Sequence, residues 1–214
     1  MKEAVRERNS RGQGTRLRAE ILAGAAQLLE DSGSEEAVTL RAIARQIGIS
    51  APSIYSHFPD REAIVDAIVD DAFSDFNAEI SGSTDAARFA GASPAQCLRA
   101  GCAGYLRFAA ERPNRYRLLF ERRDLIGDDA VPVPPIRTES FQLLVAGLQD
   151  CIDAGVSVSD DPVRDGAAIW VGLHGYATLR AGLPDFPWPP SDAILSRIVL
   201  GLAKVNENLP TGTT

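Results

Sequence analysis

The stretch Thr39–Phe58, TLRAIARQIGISAPSIYSHF, decides how the rest of the chain is read. Leu40, Ile43, Ala44 and Ile47 fall at i, i+3, i+4 and i+7, one apolar face of a helix. Thr39 stands before that run, where its hydroxyl can accept from the free N–H groups of a first turn. Gly48 follows it and can take the left-handed conformation that ends a helix. Ser50 is placed to cap a second helix, and Pro52 is tolerated in its first turn because the N–H there is unpaired. Ile54 and Phe58, four apart, face back toward the first helix. The outer face keeps Ala51, Pro52, Ser53, Tyr55 and His57: small at its start, hydrogen-bonding further along and free of acid. Such a face can enter a DNA major groove without steric or electrostatic obstruction, although two helices joined by a turn also occur as plain packing.

The totals bound what surrounds this stretch. The chain has 214 residues, a hydrophobic fraction of 45% and a formal net charge of -7. An acidic total argues against a protein that coats nucleic acid non-specifically, but the charge is segregated. Residues 1–61 carry nine Lys/Arg against eight Asp/Glu, so the negative excess lies in residues 62–214. Six of those bases, among them Arg11, Arg16 and Arg18, lie in the first eighteen residues. Arg16 and Arg18 are candidates for phosphate contact, although a solvated tail has the same composition. Three cysteines, Cys97, Cys102 and Cys151, form no disulfide framework and suggest reduced thiols in a cytoplasmic protein. His57 and His174 are far apart, and no metal-ligand spacing occurs. No apolar run approaches the length needed to span a bilayer.

Working outward, residues 1–14 read as a flexible basic arm. Thr15 is placed to cap a helix to about Ser32. Asp60 caps a further helix through about Ile80, with Ile64, Ile68, Ala72 and Phe76 in one row and Val65, Val69 and Phe73 in the next. Ser81–Ser93, rich in small and hydroxylated residues, reads as a loop. Ser93-Pro94 opens a helix with Leu98, Cys102, Tyr105, Leu106 and Ala109 inward, and Pro113 opens a short one with Tyr116, Leu119 and Phe120 inward and its arginines, Arg115 among them, solvated. Asp124–Pro135 reads as an exposed connection. Helices follow at 136–154, from Asp161-Pro162 to Gly182, and after a proline-rich aromatic loop from Ser191 and Asp192, which can cap it. Residues 209–214 are a polar tail. The expectation is an all-α chain of about nine helices: a helix-turn-helix domain over 15–62 and a helical effector-binding and dimerisation domain over 63–208.

These residues resemble a TetR-family transcriptional regulator. The motif residues are Thr39, Ile43-Ala44, Gly48-Ile49-Ser50, Ile54-Tyr55-Ser56-His57-Phe58 and Arg61-Glu62. More loosely, Ala110–Phe120 and the Trp170…His174-Gly175 spacing resemble a ligand-sensing domain named for its W, H and G. The resemblance implies a homodimer that sets its third helix in the major groove of a palindromic double-stranded operator. By position, Thr39, Tyr55, His57 and Arg61 would contact phosphates. Ser50, Ala51, Pro52 and Ser53 would lie at base edges, and Arg41 would reach a base or a phosphate. Ala51 and Pro52 depart from many members, since neither side chain offers a hydrogen bond.

Two further sets follow. Tyr105, Phe108, Tyr116, Phe120, Trp170 and His174 can line an apolar effector cavity with a few polar tips, or can be packed core. His174 can equally be a core histidine satisfied by a neighbour. The last two helices each show two apolar rows, so Leu173, Tyr176, Leu195, Ile198 and Leu202 are candidates for a four-helix dimer interface. The reading is a repressor released from its operator by a largely apolar small molecule, with no cofactor, metal or catalytic site. The alternative is a helical small-molecule-binding protein or enzyme whose helical hairpin is structural. Against an enzyme stands the lack of a phosphate-cradling Gly loop, an HExxH or a GxSxG.

Overall fold

The computed structural model describes residues 13–121 and 135–205. Within them the chain forms α1 (Gln13–Ser32), α2 (Leu40–Ile47), α3 (Arg61–Phe89), α4 (Pro94–Glu111), α5 (Pro113–Glu121), α6 (Pro135–Asp153), α7 (Pro162–Gly182) and α8 (Ser191–Leu202). Two 3-10 turns, Glu35–Ala37 and Ala51–Ile54, complete the described elements. Extended pairing among the described residues is limited to one isolated bridge, Ser157 to Val205. No described helix is long and apolar enough to cross a membrane. The chain divides into two compact units, Met1–Asp71 and Ala72–Thr214, with the division inside α3.

In the first unit the local signals act as their chemistry suggests. Thr39 Oγ1 accepts from the Ala42 N–H, and Gly48 closes α2 at φ +71. Ile21, Ala25 and Leu29 of α1 are buried, as are Ile43 and Ala44 of α2, with Val38, Ile54 and Phe58. Each fully buried large aliphatic side chain here contributes roughly 1.5–3 kcal/mol. Asp60 caps α3, its Oδ1 accepting from the Ala63 N–H at 2.8 Å. Three expectations change. Thr15 is no cap, because α1 already begins at Gln13. The second helix of the hairpin is only the 3-10 turn Ala51–Ile54, followed by further turns. Ser50 makes no capping bond; its hydroxyl pairs with that of Ser53 at 2.7 Å. The arm up to residue 12 lies outside the described residues, as do the connection at 122–134 and the tail.

In the second unit α4 is the centre, packed by α5, α6, α7 and α8. Of the loop expected at Ser81–Ser93, the part up to Phe89 is instead the last turns of α3, a helix of 29 residues, and only 90–93 remain a connection. Its hydroxyls do not compete with the helix. Ser83 Oγ and Thr84 Oγ1 donate back to the carbonyls of Glu79 and Ile80, four residues earlier. The small residues serve a close crossing with α4. A Cβ on Gly104 would stand 2.5 Å from Ser83 Oγ and 2.8 Å from the Glu79 carbonyl oxygen, and one on Gly101 2.5 Å from Thr84 Oγ1. Arg115 is not solvated: with Arg112 it pairs with Asp75 of α3.

The entrance to α7 is built as expected, with Asp161 accepting from the Arg164 N–H at 2.9 Å. Just inside it, buried Asp165 receives Ser159 Oγ at 2.6 Å and Lys204 Nζ at 2.8 Å. Those bonds, that to Lys204 foremost, pull its carboxyl down to about 2. Ser191 and Asp192 do not cap α8; Pro190 holds that position without a side-chain bond, and Asp192 pairs with Arg99 of α4.

Candidate nucleic-acid interface and ligand cavity

Burial sorts the Ser50–Phe58 segment into an inner and an outer side. Ile54 and Phe58 are buried, while Ser50, Pro52 and Tyr55 are exposed, Tyr55 by 59%. Ala51, Ser53 and His57 are half-buried. The 3-10 turn is held by the Ser53 N–H bonding the Ser50 carbonyl and by the His57 and Phe58 N–H groups bonding the Ile54 carbonyl. No acidic residue occurs from Val38 to Pro59. The outward side therefore presents hydroxyls, a phenol and an imidazole, the groups that position a protein on a phosphate backbone. Thr39, at the start of α2, is exposed as well, but its hydroxyl is shared with the α2 cap.

The basic residues fall into two classes. Arg41 is exposed and makes no hydrogen bond or ion pair among the described residues. Arg45 is the same and stands one turn further along α2. Sequence reading passed over Arg45, although its i+4 spacing from Arg41 was the available signal. Arg61 is different. Its guanidinium donates to the Val38 and Glu35 carbonyls and to the Glu62 carboxylate. The guanidinium for which a phosphate contact was implied is thus already engaged, tying the Glu35–Ala37 turn to the start of α3. Arg16 pairs with Glu20 at 2.8 Å, and the Arg18 guanidinium sits 4.8 Å from the Phe58 ring centroid.

In the second unit the aromatic residues assemble around Phe76 of α3. Its ring meets Tyr105 at 5.0 Å and Phe108 at 5.2 Å between centroids, with Tyr116 and Phe120 at 6.4 and 6.1 Å. These are edge-to-face arrangements, which suit the ring quadrupoles. A hydrogen-bond chain runs through the cluster: Tyr105 OH to Tyr116 OH at 2.7 Å, then Tyr116 OH to His174 Nδ1 at 2.8 Å. Burial pushes both phenols well above their ordinary range, so both keep their protons, and it lowers His174, favouring the neutral ring. Burial also raises the Cys102 and Cys151 thiols, to about 12 and about 11, so neither is a ready nucleophile.

Two cavities flank this chain. One lies among α3, α4, α6 and α7, touches Tyr105, Trp170, Thr84 and Phe141, and holds only about 40 Å³. The other opens between the end of α4, α5 and α7, touches Tyr116, Phe120, His174, Arg117, Ala177 and Thr178, and holds about 380 Å³. The six candidate pocket residues are therefore divided. Tyr105 and Trp170 face the narrow cavity, while Tyr116, Phe120 and His174 face the wide one. Phe108 lines neither and is core, 1% exposed against Phe76. Ala177 and Thr178 were missed, although they lie three and four residues past His174 on α7.

The candidate dimer residues divide too. Leu173, Tyr176 and Leu195 are buried within the protomer at 1, 7 and 4% exposure and belong to its own core. Ile198 is half-buried and Leu202 exposed. The exposed large apolar residues of α7 are Val163, Trp170, Val171 and Leu179. The periodicity shows two rows on this helix; the row expected to face outward is the covered one.

Comparison with known proteins follows this division. Residues 21–68 match the bacterial regulatory proteins of the tetR family, and residues 98–201 match the tetracyclin repressor-like C-terminal domain. The nucleoid occlusion factor SlmA of Yersinia enterocolitica is 34% identical over 53 residues, which cover 25% of this chain and 27% of that protein. The match thus spans about a quarter of the length of such relatives. Among solved structures, a Rhodococcus sp. RHA1 protein of unknown function superposes with a TM-score of 0.74 at 22% identity, covering 94% of this chain and 97% of that one. PfmR of Thermus thermophilus, a TetR-family transcriptional regulator, superposes with a TM-score of 0.62 at 22% identity, covering 87% and 99%. At such identities the superpositions carry the all-α fold, and the two sequence matches carry the kinship: this chain belongs to the tetR family of bacterial regulatory proteins.

Proposed function

We propose that the chain is a DNA-binding transcriptional repressor that sits as a homodimer on a palindromic operator and leaves it when a small molecule binds. The observation that carries this is the acid-free outward side of Ser50–His57 over a buried Ile54 and Phe58. Tyr55, His57 and Thr39 would hold phosphates, and Ser50, Ala51, Pro52 and Ser53 would lie against base edges. Arg41 and Arg45 would add cationic contacts from α2, and Arg16 and Arg18 contacts from the start of α1. Arg61 is left out of the contact set because its donors are engaged. The exposed apolar residues Val163, Val171, Leu179 and Leu202 of α7 and α8 would meet their copies across a two-fold axis, which a palindrome requires. The site of action would be the cytoplasm, and no catalytic chemistry is assigned.

For release, an effector in the wide cavity would press on Phe120 and Tyr116, whose rings lie against Phe76; Phe120 also meets Phe73 at 6.4 Å. Both phenylalanines are on α3, whose first turn carries Arg61 and its bonds to Val38 and Glu35. A shift of that helix would change the spacing of the two headpieces. The effector can do this only through differential affinity, and a tenfold loss of operator affinity requires about 1.4 kcal/mol. The test is a gel shift of the purified protein on DNA surrounding its own gene, with sedimentation to give the oligomeric state. Retention of a palindromic fragment by a dimer is expected. A monomer, or a failure to retain any such fragment, would sink the proposal.

A further inference from the structure

The chain Tyr105–Tyr116–His174 has a polarity, and the polarity says what the wide cavity offers. Tyr105 and Tyr116 each have one proton to place. If His174 Nδ1 held a proton, Tyr116 would have to donate to Tyr105, and the Tyr105 proton would have no acceptor among the described residues. The arrangement that places every proton runs Tyr105 O–H to Tyr116, then Tyr116 O–H to His174 Nδ1. The imidazole proton is then on Nε2, which makes no bond among the described residues. His174 is a lining residue of the wide cavity.

The rest of that cavity complements a donor. The rings of Phe120 and His174 meet edge-on at 4.9 Å and those of Tyr116 and Phe120 at 5.0 Å, making an aromatic wall. Ala177, Ala181 and Gly182, further along α7 from His174, leave room in the lining, and Arg117 and Thr178 bring a cation and a hydroxyl to it. A volume of about 380 Å³ is in the range of small-molecule sites, while the narrow cavity's 40 Å³ is not.

We propose that the cavity between α4, α5 and α7 binds a flat aromatic acid, its ring along Tyr116 and Phe120 and its carboxylate accepting the His174 Nε2–H near Arg117. This rests on the reading of the second unit as an effector-sensing unit and names the ligand class it would sense. The two phenols are positioning residues: they fix the tautomer that makes His174 a donor toward the cavity.

The test is calorimetric titration of the full chain with benzoate, its neutral isostere benzamide, and the non-planar cyclohexanecarboxylate. Benzoate should bind saturably, one per chain, and at least about tenfold more tightly than either analogue. Ala177→Phe, which fills the cavity, should abolish binding; Thr178→Trp at the lining serves if that variant fails to fold. Tyr116→Phe frees Nδ1 and should weaken benzoate about 5- to 10-fold while leaving benzamide unchanged, a split that mere loss of packing would not produce. Equal binding of benzoate and benzamide, binding indifferent to both cavity-filling variants, or no saturable benzoate binding up to about 10 mM would overturn it. A gel shift run beside the titration separates the two proposals. Benzoate binding without operator release supports this ligand class and counts against the release mechanism; release by other molecules without acid binding overturns this ligand class alone.

Discussion

The two units handle polar side chains in opposite ways. In the first, Arg41, Arg45 and Tyr55 point to solvent with their hydrogen-bonding capacity uncommitted. In the second, polar groups are turned inward and paired: Tyr105 with Tyr116, Tyr116 with His174, Asp165 with Ser159 and Lys204. An uncommitted exposed group adds little to stability and is available to a partner. A committed buried group fixes geometry and is costly to disturb. Arg61 warns against sorting by sequence motif, since it lies in the first unit but is used as the second unit uses its polar groups.

That contrast can be broken by substitution. The largest effect should come from Ile54→Ala, which empties a fully buried site. A loss of about 2–5 kcal/mol is expected in urea unfolding, with hydrogen exchange in α4 and α6 left at its original rate. Next comes Asp165→Asn, expected to cost about 2 kcal/mol at neutral pH. The folded carboxyl lies at about 2, below its unfolded value, so its contribution is present above pH about 4 and fades as pH falls toward 2. Thermal melts of the two proteins should therefore converge on acidification; divergence would remove the inward-paired account of this residue.

Two arginines sharpen the comparison. Arg61→Lys should cost roughly 1–2 kcal/mol of stability, because an ammonium cannot span both carbonyls, and should leave the salt dependence of DNA binding unchanged. Arg45→Ala should do the reverse, leaving urea unfolding alone and lowering the log–log salt slope of DNA binding by about 0.9. If both act on the slope, the division between engaged and uncommitted arginines fails. Smallest of all, Tyr55→Phe should weaken DNA binding by about 0.5–1.5 kcal/mol in a fluorescence titration, with no change in melting.

The headpiece was legible in the sequence because its signals are local. Thr39, Gly48 and Asp60 act within four residues of themselves, and Ile54 and Phe58 lie on one side of a single turn. The end of α3 was not legible. Hydroxylated and small residues have one composition in a loop and in a helix whose hydroxyls bond back to its own carbonyls, and only packing on α4 separates the two. The rows of α7 were visible, but their direction was not: Leu173 and Val171 are equally apolar, and tertiary neighbours decide which one is covered. The cavity was half legible, since aromatic and histidine positions stand out in a sequence and the alanines that make room for a ligand do not.

The tight meeting of Gly101 and Gly104 with Ser83, Thr84 and the Glu79 carbonyl has a mechanical meaning. Helices in contact through long side chains can slide a little, because rotamers absorb the slip. Here backbone nearly touches backbone, and the nearest atom to Gly104 beyond Ser83 Oγ is a carbonyl oxygen that cannot swing aside. The second half of α3 and α4 are thus meshed like teeth, and a signal arriving at either one must be passed on as a joint displacement of both. A single added methyl at Gly104 would jam that mesh without touching a ligand or a nucleotide.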